Sequence, residues 1–197
     1  MNTFKTRNDF VNSLSNNLIM CEIGVFTGDF SKILFDTNPK ELHLIDPFEG
    51  NFSSGDKDGY NIKNVNLTQY YKTLVNCYRE NENVYIYKKY STESLPLFPD
   101  EYFDFMYIDA NHDYKYVQED LELCKRKTKI GGIIAGHDYS KSLYIGVVNA
   151  VEDFCKKYGF QIDYMTEDRC ATYGIIKKWL KHLNVHYFVA FIKLVIL

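Results

Sequence analysis

The sequence predicts an α/β fold: a doubly wound, mostly parallel sheet with helices on both faces, finished by an antiparallel hairpin. Three observations predict it. Short apolar runs that close on an acid, Leu18 to Ile23 with Glu22 and Glu41 to Asp46, alternate along the chain with stretches of helical spacing. Gly24 and Gly28 bracket the first strand-to-helix turn, so that a complete β-α-β unit ends at residue 46. Two late strand-like segments are joined only by the polar link Thr166 to Arg169, too short for a helical crossover, and must therefore pair antiparallel. A length of 197 residues suits one such domain with its own core.

Each element follows from its own pattern. Asn8 to Ser15 places Phe10, Val11 and Leu14 on one side of a short helix. Leu18 to Ile23 is continuously apolar instead of alternating, as a strand buried on both faces is. Asp29 to Phe35 turns Phe30, Ile33 and Leu34 inward, and the strand Glu41 to Asp46 stops at Pro47. Phe48 to Tyr60, rich in Gly, Ser and Asp, reads as a loop long enough to form a lid or a substrate wall. Asn64 to Glu80 is helical, and Asn83 to Lys88 alternates Val84 and Ile86 with Tyr and Lys as a strand does. The strand Tyr102 to Ile108 ends at Asp109, and Tyr114, Val117, Leu121 and Cys124 then repeat at helical intervals. Gly131-Gly132 is expected to break that helix before a strand at Ile133 to Ala135. Tyr144, Val147, Val151, Phe154 and Tyr158 mark a further amphipathic helix with Gly159 at its C-cap. Phe160 to Met165 and Cys170 to Lys177 form the hairpin.

Composition narrows the function. A formal net charge of -3 with no sustained Lys/Arg run argues against a protein that grips nucleic acid by neutralising phosphates. The five cysteines are far apart and without C-x-x-C spacing, so reduced, mostly buried thiols are expected. Met1 to Asn17 has no apolar core of the secretory kind, and a cytoplasmic location is the expectation. Residues 1–178 read as the domain and 179–197 as an apolar tail. Its run from Val185 to Leu197 is shorter than the ~20 residues of a spanning helix. Such a tail docks on the domain, on a second copy of the chain, or at an interface.

In a doubly wound sheet ligands sit at the carboxyl ends of the strands, at the topological switch point. The residues that follow strands here are Glu22 to Gly28, Asp46, Tyr90-Ser91, Asp109 to Asp113 and His137-Asp138. Glu22-Ile23-Gly24-Val25-Phe26-Thr27-Gly28 has two glycines four apart, with Phe26 where a dinucleotide fingerprint needs its central glycine. A pyrophosphate would be crowded there, whereas a cofactor without phosphate needs only the tight turn. Asp46, closing the second strand, can accept hydrogen bonds from ribose hydroxyls, and with the turn it favours an adenosyl ligand. Asp109 and Asp138 end neighbouring central strands and aim two carboxylates at one spot, a place for a cation. Mg2+ is the preferred ion. His137 is a ligand if the metal is a transition ion, or else supports the ligands from behind. His112, three residues after Asp109, is either a surface histidine or a general base.

At these residues the chain resembles class I S-adenosylmethionine-dependent methyltransferases, and among them the small-molecule O-methyltransferases of the macrocin O-methyltransferase type. The resemblance spans about residues 18 to 178. It rests on Glu22 to Ser31, Ile45 to Phe48, Tyr107 to Tyr114, Gly131 to Tyr139 and Gly146 to Val151, in that order. It implies a Rossmann-like, seven-stranded sheet, with Glu22, Gly24 and Gly28 around the methionine part of the cofactor, Asp46 at the ribose and Ser91 near the adenine. The activity expected is methylation of a hydroxyl of a small molecule or sugar. Asp109 and Asp138 hold the metal that acidifies the hydroxyl, and His112 accepts its proton. The competing reading is a cofactor-binding protein without catalysis whose tail serves association. A nicotinamide oxidoreductase stands third, because Phe26 fills the pyrophosphate approach.

Overall fold

A computed structural model describes residues 1–49, 51–52 and 65–179. Within them the elements run β1 (Asn2–Phe4), α1 (Arg7–Asn12), β2 (Ile19–Ile23), α2 (Asp29–Asp36), β3 (Glu41–Asp46), β4 (Asn51–Phe52), β5 (Val65–Asn66) and α3 (Leu67–Tyr78). They continue with β6 (Val84–Lys88), α4 (Ser91–Ser94), β7 (Phe103–Ile108), α5 (Tyr114–Lys127), β8 (Thr128–Gly136), α6 (Ile145–Tyr158), β9 (Tyr164–Thr166) and β10 (Tyr173–Ile176). The main sheet has the order β1-β9-β10-β8-β7-β2-β3-β6, and β4 and β5 form a separate antiparallel pair.

Period-two alternation sorts the strands between two cores. Ile19, Cys21 and Ile23 of β2 and Ile45 of β3 face one layer, with Val117, Leu121 and Cys124 of α5 and Val151 and Phe154 of α6. Met20, Leu42 and Leu44 face the other, with Phe10 and Val11 of α1, Phe30 and Leu34 of α2 and Leu74 of α3. Strands buried on both faces are the reason β2 shows no polar alternation. From β2 the chain winds outward one way through β3 and β6 and the other way through β7 and β8, all parallel. The winding reverses between β2 and β7, which makes their carboxyl ends the switch point.

The seven expected strands are all present, and β10 runs antiparallel to both β8 and β9. The hairpin loop is longer than the expected link, because β9 ends at Thr166 and β10 begins at Tyr173. Thr166 N donates to Thr172 O at 2.9 Å, and Thr172 N to the Thr166 hydroxyl oxygen at 2.7 Å, closing that loop without extending the ladder. Three further features depart from the sequence reading, one being that Val65–Asn66, expected within a helix, is the strand β5, so that α3 begins at Leu67. An eighth strand, β1, pairs in parallel with β9 at the sheet edge, with Asn2, Thr3 and Phe4 opposite Tyr164, Met165 and Thr166. Gly131-Gly132 does not lie between helix and strand: α5 already ends at Lys127, and the two glycines sit inside β8. They form a bulge there, since the partners of Phe103 and Phe105 are Thr128 and Ile133. Gly131 has φ +83°, and a Cβ on Gly132 would lie 2.8 Å from Asp104 O.

Gly159 caps α6 in the left-handed conformation, φ 65°, as its position after the last apolar residue implied. No helix among the described residues is long and apolar enough to cross a membrane. Most of the loop read as a lid, and the apolar run of the tail, lie outside the described residues.

Candidate active site

The sheet hydrogen bonds continue one residue past the strand ends and set the rim. Gly24 N donates to Ile45 O (2.9 Å), Asp109 N to Ile23 O (2.8 Å) and His137 N to Ile108 O (3.0 Å). Residues distant in sequence thereby stand side by side. A cleft of about 950 Å3 opens above them, the size class of a cofactor or drug-sized ligand site. Its wall includes Glu22 to Thr27, Asp46, Tyr90 to Thr92, Asp109 to His112, His137 and, from further away, Arg7, Phe30, Tyr116 and Asp120.

The turn after β2 is wound tightly. Gly24, Phe26 and Gly28 have φ of 86°, 53° and 86°, so even the bulky residue in the middle is held in the left-handed region. A Cβ at Gly24 would lie 2.2 Å from Asp109 O, so only glycine lets the turn cross the end of β7. Gly28 serves differently. Its missing side chain makes room for Leu74, whose Cδ2 would lie 2.3 Å from a Cβ, and its N–H already donates to Val25 O. It shapes the turn by packing α2 against α3.

Asp46 holds this turn by its side chain. Oδ2 accepts from Val25 N (2.9 Å) and Phe26 N (3.0 Å), and Oδ1 accepts from Phe48 N (2.6 Å). Three of its roughly four lone-pair positions are thereby engaged. Glu22 is buried and accepts a hydrogen bond from the Ser31 hydroxyl. Burial pushes its carboxyl well above the usual range, with Asp109 adding to the rise.

On the other side of the switch point four titratable groups meet. Asp109, His137 and Asp138 each offer a ligand atom within 4.8 Å of the others. His112 Nε2 lies 2.7 Å from Asp138 Oδ2, and His137 Nδ1 lies 3.2 Å from Asp138 Oδ1 and 3.8 Å from Asp109 Oδ2. Burial raises the Asp109 carboxyl. Burial works in the same direction on Asp138, but the hydrogen bonds from His112 and His137 outweigh it and hold Asp138 far below the usual carboxylate range. Asp138 also sits at φ 60°, a conformation Asp tolerates better than most residues. The His112 loop is seated by α6, because Gly146 lets the His112 carbonyl come within 2.5 Å of where a Cβ would be.

Two wall residues escape the sequence reading. Arg7, the first residue of α1, points its Nη1 at Asp109 Oδ2 (3.4 Å) and lays its guanidinium 4.7 Å from the centre of the Phe30 ring. Asp109 therefore has a basic neighbour, brought from 102 residues away. Asp120 lies on the inward stripe of α5 and accepts the Ser91 hydroxyl at 2.5 Å. Burial pushes its carboxyl up to about 6. An acid in the stripe Val117, Leu121, Cys124 is a visible anomaly in the sequence, whereas nothing near Arg7 connects it with the site.

Residues 21–139 match the family model of the Methyltransferase domain, more than half of the chain. The chain belongs to that family. Its fold is the Rossmann-like fold of S-adenosylmethionine-dependent methyltransferases. The O-methyltransferase NovP superposes with a TM-score of 0.65 at 17% identity, covering 87% of this chain and 79% of its own. A precorrin-6y methyltransferase from Geobacter metallireducens gives 0.60 at 15%, covering 87% of each chain. The N-methyltransferase NodS from Bradyrhizobium japonicum gives 0.59 at 12%, covering 87% and 94%. No curated protein matches by sequence. At these identities the likeness is one of fold, and the acceptors named for these proteins differ in the atom methylated.

Proposed function

We propose that this methyltransferase-family chain uses S-adenosylmethionine to methylate a hydroxyl of a small molecule or sugar, assisted by a divalent cation. The observation that carries the reading is the meeting of Asp109, His137, Asp138 and His112, three of which, Asp109, His112 and His137, line a cofactor-sized cleft. The cleft suits a cationic cofactor: its wall carries Glu22, Asp46, Asp109 and Asp120, and the wound turn at Gly24 leaves no room for a side chain. In this reading Glu22 and Gly24 surround the methionine part, the remaining lone pair of Asp46 accepts from a ribose hydroxyl, and Ser91 lies near the adenine; all four line the cleft. Gly28 contributes through the shape of the turn. Asp109, Asp138 and His137 form the donor set for a cation, and the histidine widens the choice beyond Mg2+ to transition ions.

The cofactor supplies an electrophilic methyl, and the cation supplies positive charge that acidifies a neighbouring hydroxyl. The chain's own part is alignment and proton transfer. The strand ends fix cofactor and acceptor on one rim, where orientation lowers the barrier. His112, braced by Asp138, accepts the acceptor's proton. Charge complementarity without a metal is the alternative supported by the same contacts, since two histidines and Arg7 already face the two aspartates.

Calorimetry with S-adenosylhomocysteine and with NAD, followed by transfer of a labelled methyl to a panel of hydroxyl compounds, tests the reading. It expects binding of the first ligand and label on an oxygen. Preference for NAD sinks it, and binding without transfer to any acceptor favours a non-catalytic binder.

A further inference from the structure

The charges of the cleft wall are lopsided. Glu22, Asp29, Asp46, Asp109, Glu119 and Asp120 are acids, and among the described residues of the wall Arg7 is the one side chain with a permanent positive charge. A sulfonium with an amino-acid end carries three charges: the sulfonium and ammonium are drawn to such a wall, and the carboxylate is repelled by it. We propose that Arg7 is the subsite for that carboxylate and so determines which way the amino-acid end lies in the cleft. The inference rests on the reading of the cleft as an S-adenosyl site and goes beyond it by giving the carboxylate a partner outside the strand ends.

Arg7 is built for the role. Its backbone N–H donates to Asp168 Oδ2 at 3.1 Å, and Thr6 and Asp9 form a capping box around the start of α1. The side chain stacks on Phe30, which fixes the plane of the guanidinium. The 3.4 Å contact to Asp109 is long for a charge-assisted hydrogen bond, and a guanidinium has five N–H donors. With Tyr107 and Asp109 as its present partners, Arg7 still keeps donors for a second carboxylate, and Asp109 remains beside it for the ammonium. Burial works against its charge, but Tyr107, Asp109 and Glu22 more than restore it, so Arg7 stays charged.

The test is calorimetry on the full chain with two ligands, S-adenosylhomocysteine and its decarboxylated analogue, against the parent and Arg7→Gln. The parent is expected to prefer S-adenosylhomocysteine by about 10- to 100-fold, the strength of a hydrogen-bonded charge pair. Arg7→Gln is expected to lose that preference while binding the analogue within about 2-fold of the parent. A variant that keeps the parent's preference overturns the proposal and leaves the cofactor reading intact. A parent that binds neither ligand overturns both. Should Arg7→Gln fail to fold, Arg7→Lys carries the same comparison, with the preference expected to shrink because the fork of donors is lost while the charge stays.

Discussion

Asp120→Asn should make the protein more stable at neutral pH. Asp120 is 5% exposed and accepts one hydrogen bond, from Ser91. Burial lifts its carboxyl from 3.8 to about 6, a rise of roughly two units. The folded state thus holds the Asp120 proton more tightly than the unfolded chain does. No stability is lost at this group below about pH 4. It is lost as pH climbs from about 4 to 6, and above that range the charged carboxylate costs up to about 3 kcal/mol, at 1.36 kcal/mol per unit. Exposure is too small for solvent screening to erase this figure. Asparagine keeps an acceptor for the Ser91 hydroxyl and removes the charge. Urea unfolding of parent and variant across pH 4 to 8 should therefore show curves that nearly coincide at the acid end. They should separate by about 2 to 3 kcal/mol at pH 7.5, the variant being the more stable. A difference independent of pH, or a variant less stable at pH 7.5, would refute the reasoning.

Two further outcomes follow from the geometry. Gly24→Ala should destabilise by about 2 kcal/mol or more, because its Cβ meets the Asp109 carbonyl and because alanine resists φ near 86°; an unchanged thermal midpoint would show that the turn is free to shift. Chelation, and Asp138→Asn, should each reduce methyl transfer by about 100-fold or more while S-adenosylhomocysteine binding stays within about 3-fold, a separation expected of a cation held beside the cofactor. Full turnover under both conditions would leave His112 as an unaided general base.

What could be read in the sequence was whatever depended on local pattern. The strands β2, β3 and β7 announce themselves because both of their faces are buried, and an apolar run closing on an acid marks both the strand and its functional end. Asp109 follows β7 in this way, and His137 and Asp138 follow the end of β8. β1 offers no such signal: two of its three residues are exposed, and it is a strand only because β9 lies beside it. Gly131-Gly132 looked like a boundary because glycine punctuates both boundaries and bulges, and only the neighbouring carbonyl of Asp104 distinguishes them. Arg7 was beyond reach for the same reason as β1, since its meaning comes from partners more than a hundred residues away.

The pairing of β1 with β9 also bears on how the chain is made. Asn2 lies opposite Tyr164, and the Arg7 backbone bonds to Asp168, a separation of 161 residues. During synthesis the first dozen residues emerge long before the hairpin that receives them exists. The central strands from β2 to β8 can pair in the meantime, but a wall of the cleft must wait until residue 168 has cleared the ribosome. Contacts of such sequence separation form slowly, since loop closure must precede them. This wall of the cleft therefore depends on contacts between segments about 160 residues apart, unlike the central strands that carry its floor.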